Sequence, residues 1–475
     1  MHDTDILIVG GGISGLATAW WLARAGREVT VLESAAQLGG KIQTDRRDGY
    51  TTEQAASLLL NFRPEVSRLV EAADLSRLKA ARPESVSRNR YLIQDGRLQA
   101  VPTELRDLAR TRMWSWSTRW RLLGEAFVPR GRREEETVSE FIRRRLGNEI
   151  LEKAIDPFVA GTLAVDPDLA NARTTLPRLT ALEQRYGSIT AGIIMNRLLK
   201  RRTAAVSETF SFQGGMHTLI DTLAQSPGLN VLTKRQTTEL ARTADGWRVT
   251  TTHDGSTETW CAREVVIATP SRTAAELIQP LDSTLGQHLA SVVYAPLAVA
   301  HLAFDRDSVD HPLDGTGFLV PRREKLAFNG CLWSSTLFPA RAPAGKVLMT
   351  LYVGGSRAPE RYEWDNGRMV ESVLDDLDPL IGLSDTPNHH WIDRHEHALP
   401  VYHGNHAARE RAIRDAVARH AGLHVIGNYL GGVSIRDRVA QGYALASQIA
   451  GDRESGLEKS ATPFNKRRAL VVQHS

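Results

Sequence analysis

The chain has 475 residues, 42% of them apolar, and a formal net charge of +4. A chain of this length exceeds one small core, so two or three domains are expected, and so small a charge gives no electrostatic case for a nucleic-acid partner. Two cysteines, Cys261 and Cys331, stand too far apart for a metal-ligand motif and point to a reducing compartment without a disulfide framework.

The run Ile6-Leu-Ile-Val9 suits a buried parallel strand, and Gly10, Gly12 and Gly15 follow it at GxGxxG spacing. Residues 16–24 then read as a helix, and a second strand, Val29-Thr-Val-Leu32, ends in Glu33. In such a βαβ unit the glycines supply a tight turn, close approach of backbone N–H groups to a pyrophosphate, and close helix-on-strand packing. The helix N-terminus attracts the anion, and the acid holds a ribose hydroxyl. The unit predicts a dinucleotide site built from Gly10, Gly11, Gly12, Ile13, Ser14, Gly15, Glu33 and Ser34, with NAD and FAD both open at this point. The entry Met1-His-Asp-Thr-Asp5 is acidic and the glycines break the apolar run, which argues against a signal or a membrane span. No other stretch is long enough to span a bilayer, so any membrane contact is expected to be peripheral.

Residues 103–127 change character: Leu105, Leu108, Met113, Trp114, Trp116, Trp120, Leu122, Leu123 and Phe127 alternate with Arg106, Arg110, Arg112, Arg119 and Arg121. Indole rings and arginines together suit a bilayer interface; a hairpin packed on its own domain, with a solvated arginine face, is the alternative. Segments 230–233, 247–252 and 263–270 are β-rich, the last placed to return in parallel to the first sheet, and residues 291–356 read as a second, mixed sheet. Six histidines lie between His389 and His406, but no carboxylate or cysteine stands at ligand spacing, so no metal is expected there. Residues 452–475 are polar and charged, with the cluster Lys466-Arg-Arg468, and read as a disordered tail.

The turn Leu38-Gly-Gly-Lys41 behind Glu33, with Thr44 beyond it, resembles the flavin amine-oxidase superfamily. Stretches 89–102, 133–147, 155–161, 176–189, 211–216 and 427–437, collinear with those of its porphyrinogen-oxidising branch, make the chain similar to the protoporphyrinogen and coproporphyrinogen oxidases. The resemblance implies an α/β (α+β, multidomain) fold. Its Rossmann-like FAD-binding domain would comprise 1–75, 206–290 and 420–451, its mixed-sheet substrate domain 76–102 and 291–419, and its helical, membrane-facing domain 103–205. It implies FAD held by the residues named above together with Gly40, Lys41, Ala55, Ala56, Ser57, Leu58, Gly432, Val433 and Ile435, and Arg90 on a substrate propionate. The implied reaction is the six-electron oxidation of protoporphyrinogen IX, by three hydride transfers to flavin N5 with dioxygen reduced to hydrogen peroxide. No further catalytic side chain is required by that chemistry.

The implied setting is the cytoplasmic face of the membrane, or the soluble cytoplasm, with a ferrochelatase or another haem-pathway enzyme as partner. Coproporphyrinogen III is the alternative substrate; an amine oxidase or desaturase of the same fold, and a non-catalytic flavin- or tetrapyrrole-binding paralogue, are alternative functions. Three departures from the family pattern stand out. Gln37 replaces an arginine, Ala55-Ala-Ser-Leu58 replaces Gly-Pro-x-Ser, and Val401 replaces a glutamine before Tyr402. The alanine at 55 is tolerable only at negative φ.

Overall fold

The computed structural model describes residues 1–87, 89–101, 114–131, 133, 135–198 and 208–451. Two seven-stranded sheets carry the architecture. In the first, His2–Val9 lies between the parallel strands Val29–Leu32 and Ser256–Ile267, and Leu229–Leu232 extends it beyond Val29–Leu32. The expected strand at residues 6–9 is longer than its apolar run because His2 pairs with Trp260 and the register continues from there.

Ser256–Ile267 does two jobs. Its first half pairs antiparallel with Trp247–His253, and its second half runs parallel to His2–Val9 and to Leu423–Val425. One twelve-residue strand thus joins a meander, completed by Gln236–Arg242, to the parallel core. The continuous burial of Ile6, Leu7 and Ile8 is what a strand covered on both faces requires.

Helix Ile13–Arg24 covers one face of this sheet and is itself covered by helix Ile435–Ala450. The close crossing explains the glycine inside the later helix: a Cβ at Gly442 would lie 3.0 Å from the Thr18 backbone nitrogen.

The second sheet runs in the order His389–Pro400, Tyr294–Asp305, Lys346–Gly354, Gly330–Trp333, Gly317–Leu319, Tyr91–Gln94, Arg97–Ala100. All neighbours are antiparallel except Tyr91–Gln94, which runs parallel to Gly317–Leu319. Met369, Val373, Leu377 and Ile381, four residues apart on helix Asn366–Ile381, pack on Ala298, Ala300, Leu302 and Phe304 of the sheet.

The elements of residues 116–198 are all helical. Their core is polar at one point. Arg145, fully buried, donates to Glu125 Oε1 at 3.2 Å, to Glu183 Oε1 at 2.7 Å and to the Gly187 carbonyl at 2.8 Å. Glu125 in turn accepts from the Ile189 and Thr190 backbone N–H groups that open helix Ile189–Leu198. The expected amphipathic stretch is helix Trp116–Gly124 from its N-cap Ser115 onward; Leu105, Arg106, Leu108, Arg110, Arg112 and Met113 lie outside the described residues, as does the tail from 452.

Candidate functional site

The glycine loop has the geometry its spacing predicts, with one shift. Helix Ile13–Arg24 begins three residues before the apolar run suggested, so Gly15 sits in the first turn. A Cβ there would fall 2.1 Å from the Gly10 carbonyl oxygen, and Gly10 itself turns the chain at φ +112°. Gly12, by contrast, faces open space: a Cβ there would meet no atom within 4 Å. As the N-cap it brings no side-chain hydrogen bond, so the first-turn N–H groups have no side-chain acceptor from the cap. Two glycines shaped by packing and one open on the outer side make a cradle for a pyrophosphate, and the residues fit that group.

The second glycine turn runs alongside the first. The Gly39 N–H donates to the Gly11 carbonyl at 2.8 Å, and Gly40, at φ +57°, lies beside Gly12. Glu33 Oε2 accepts the Gly11 N–H at 2.7 Å, while Oε1 accepts the Ala35 N–H at 2.8 Å and the Ser34 hydroxyl at 3.2 Å. These bonds fix the carboxylate at the end of its strand, and its remaining lone pairs suit a ribose hydroxyl.

Strand His389–Pro400 and the residues just after it hold the other pieces together. Lys41 Nζ donates to the carbonyls of His397 and Ala398, at 2.5 Å to the latter, and lies 5.5 Å from the Tyr294 ring centre. Burial pulls its pKa down to about 8. His395 Nε2 lies 2.7 Å from the Gln54 carbonyl, so the imidazole is bonded to the backbone that leads into residues 55–58. The Tyr402 hydroxyl donates to the Asn428 carbonyl and accepts the Gly432 N–H at 3.2 Å. Its ring stacks on buried His406 at 3.9 Å, and burial raises the phenol's pKa so that it stays a neutral donor.

At the C-terminal turn Gly432 takes φ +114°, where a Cβ would strike the Asp437 carboxylate at 2.6 Å. Val433 follows, and Ser434 caps helix Ile435–Ala450 by accepting the Asp437 N–H. Residues 10–15, 33–41, 54–58 and 427–435 are therefore linked in space through one strand and its extension.

The 55–58 loop is clamped from a second side that local sequence patterns do not announce. Arg341 Nη2 donates to the Ser57 carbonyl at 2.6 Å, to Glu53 Oε1 at 3.0 Å and to the Ser211 hydroxyl at 3.1 Å. Glu53 also accepts the Met216 N–H at 2.9 Å and the Thr44 hydroxyl at 2.7 Å. Burial raises the Glu53 pKa and Arg341 pulls it back down, the ordinary balance of a buried ion pair. Ala55 and Ala56 are not among the residues at positive φ, so the methyl groups at these positions cost no backbone strain.

Arg90 is exposed at the start of the Tyr91–Gln94 and Arg97–Ala100 hairpin, its carbonyl accepting the Val101 N–H at 2.7 Å. Asn89 and Tyr91, on either side, both bind Asp314, which leaves Arg90 to the other side of the strand. Arg82, at the other end of the short segment containing Val86, has its charged form disfavoured by burial and by the nearby Arg90. Val86 packs with Leu58, Leu337 and Phe338, which ties this segment to the 55–58 loop.

Among the described residues no three histidine, cysteine or carboxylate side chains are grouped to hold a metal ion. His395 is engaged with backbone, and His389 stacks on Trp391 at 5.4 Å.

The family of flavin containing amine oxidoreductases matches residues 13–450. The mitochondrial protoporphyrinogen oxidase of Nicotiana tabacum is 30% identical, across 95% of this chain and 95% of its own. The coproporphyrinogen III oxidase of Bacillus subtilis is 28% identical, across 93% of this chain and 97% of its own. A crystal structure from Exiguobacterium sp. 255-15 superposes with a TM-score of 0.78 at 25% identity, covering 94% of this chain and 98% of its own. A reduced UDP-galactopyranose mutase shares the fold, with a TM-score of 0.72 at 15% identity over 97% of this chain and all of its own. The chain therefore belongs to the flavin containing amine oxidoreductases, is an FAD-binding oxidoreductase, and within that family falls with the protoporphyrinogen and coproporphyrinogen oxidases.

Proposed function

We propose that this protein oxidises protoporphyrinogen IX to protoporphyrin IX at a membrane surface. Six electrons and six hydrogens leave the substrate, and three dioxygen molecules become three hydrogen peroxides. FAD supplies the two-electron acceptor that no side chain offers. The protein's residues bind and orient. The glycine loop and Lys41 take the pyrophosphate end, the clamped 55–58 loop and the 432–435 turn line the ring end, and Arg90 forks onto a propionate.

The observation that carries the choice of substrate is the outer face of helix Trp116–Gly124. Trp116 is 74% exposed and Phe127 89%, with Trp120 and Leu123 between them on the same stripe. The Arg119 guanidinium lies over the Trp116 ring at 4.7 Å. Ile193, Ile194 and Met195 are exposed on helix Ile189–Leu198, whose first turn is bound to the same Glu125 that lies between Trp120 and Phe127 in sequence. An apolar, aromatic patch with basic partners suits an interface that stores an apolar dicarboxylate. No helix among the described residues is long and apolar enough to cross a membrane.

Likeness to the Bacillus subtilis enzyme supports a second reading, coproporphyrinogen III as substrate. Turnover of both porphyrinogens, with flotation on anionic vesicles, separates the two. Protoporphyrinogen preference with vesicle binding is expected; coproporphyrinogen preference without vesicle binding sinks the first reading. Arg90→Ala should raise KM roughly tenfold at unchanged flavin spectrum, the loss of one charge-assisted contact. Unchanged kinetics remove Arg90 from the site.

A further inference from the structure

Phe62 follows strand Leu59–Asn61, which continues the 55–58 loop, and two guanidinium groups stack on its ring. Arg178, on helix Pro177–Tyr186, lies 3.9 Å from the ring centre, and Arg436, in the first turn of helix Ile435–Ala450, lies 4.3 Å from it. Arg63, the next residue along the chain, reaches Asp437 Oδ1 at 3.4 Å.

Three cations meet where three parts of the fold converge, one residue beyond Ile435 and four beyond Leu58. The compensation is thin. Asp437 is the single carboxylate in the ion pairs of these three arginines among the described residues, and Arg436 Nε stands 3.9 Å from it. That buried Nε has no hydrogen-bond partner, and Arg436 Nη1 has only a 3.4 Å contact to the Leu60 carbonyl. Arg178 is exposed, and its ring contact orients its fork without using its N–H donors.

Like charges brought this close raise one another's energy, and Arg63 and Arg178 both disfavour the charged form of Arg436, after burial. An anion would relieve this. The aromatic floor, the planar forks and the position beside two candidate flavin-lining segments fit a carboxylate on a flat, apolar body better than an isolated inorganic ion.

We propose that Arg63, Arg178 and Arg436, gathered on Phe62, form a second carboxylate-binding site, which takes a propionate of the tetrapyrrole where helix Pro177–Tyr186 meets the start of helix Ile435–Ala450. The site is separate from Arg90 and rests on the porphyrinogen reading above. It holds the substrate's outer edge and draws the anion in from solution.

The test uses FAD-loaded protein and protoporphyrin IX, as the free acid and as its dimethyl ester in detergent, with porphyrin fluorescence as readout. Arg178→Gln should weaken binding of the acid about tenfold and flatten its salt dependence, while leaving affinity for the uncharged ester and FAD content unchanged. Arg178→Lys should restore the salt dependence and part of the affinity, since it returns the charge without the fork. Equal affinity of Arg178→Gln and wild type for the acid overturns the site, as does equal loss of acid and ester, which would mark a change of shape. Wild-type protein that binds neither porphyrin overturns the porphyrinogen reading itself, and the site with it.

Discussion

Arg341 donates to the Ser57 carbonyl at 2.6 Å while pairing with Glu53 in the buried interior, so one guanidinium fixes both ends of the loop that carries Ala55 and Ala56. The same loop is bound at Gln54 by His395. Its ends are thus tied to side chains from distant segments of the chain.

Arg341→Met should therefore release FAD and destabilise the fold by roughly 3–5 kcal/mol, because it leaves Glu53 buried without its cation. The double variant with Glu53→Gln should recover part of the stability but not the flavin retention. Thermal unfolding and the ratio of flavin to protein absorbance measure the two effects separately. A single variant that keeps full FAD content would show that the clamp does not shape the site.

Gly12 and Gly15 should respond differently to the same substitution. Gly15→Ala places a methyl against the Gly10 carbonyl and should lower stability and abolish FAD binding. Gly12→Ala meets no protein atom, so its unfolding midpoint should stay within the range of a surface change while its FAD affinity falls at least tenfold. Apo-protein stability and FAD titration distinguish them; equal FAD affinity in Gly12→Ala and wild type would remove the open side of the loop from the cofactor site.

Lys41, as a candidate pyrophosphate ligand, should make FAD binding pH-dependent. Burial lowers its pKa to about 8, and a pyrophosphate beside it would raise that value, so binding takes up a proton when the lysine starts neutral. Affinity should be flat below pH 8 and should fall as pH rises from there toward the pKa of the complex. Lys41→Met should bind more weakly at pH 7 and lose this dependence. A wild-type FAD affinity constant from pH 7 to 10 would contradict the assignment.

In the helical layer, Arg145→Met should cost roughly 3–5 kcal/mol, since Glu125 and Glu183 lose a fully buried cation. Glu125 also tethers helix Ile189–Leu198, so the variant should lose vesicle binding before it loses FAD. Differential scanning calorimetry and vesicle flotation report the two. Simultaneous loss of both would show one cooperative unit instead of two.

Much of this was legible in the sequence because it depends on neighbours a few residues apart. The GxGxxG spacing, the acid ending the second strand, the Gly39-Gly40 turn and the glycine before the last helix each encode a local backbone conformation. So do the long apolar strands of both sheets, and so does the reversal at Asp95-Gly96, where both residues take positive φ.

What the sequence hid is the reciprocal bonding between remote side chains. Glu53 and Arg341 stand 288 residues apart, and neither lies in a motif. Their pairing has no periodicity to betray it. His395 was visible only as one of a crowd of histidines, and its bond to the Gln54 carbonyl 341 residues away has no local signal. The departures at Ala55 and Ala56 meet the condition set for them, since neither residue is at positive φ.

The parallel core carries a consequence for how the protein is made. His2–Val9 pairs early with Val29–Leu32 but finds its second neighbour only when Ser256–Ile267 exists, and that strand is flanked in turn by Leu423–Val425. The helix covering Ile13–Arg24 comes later still, at Ile435–Ala450. The strand His2–Val9 and the helix after it are thus fully enclosed only once Ile435–Ala450 has been made. Pairings of such long sequence separation fold slowly.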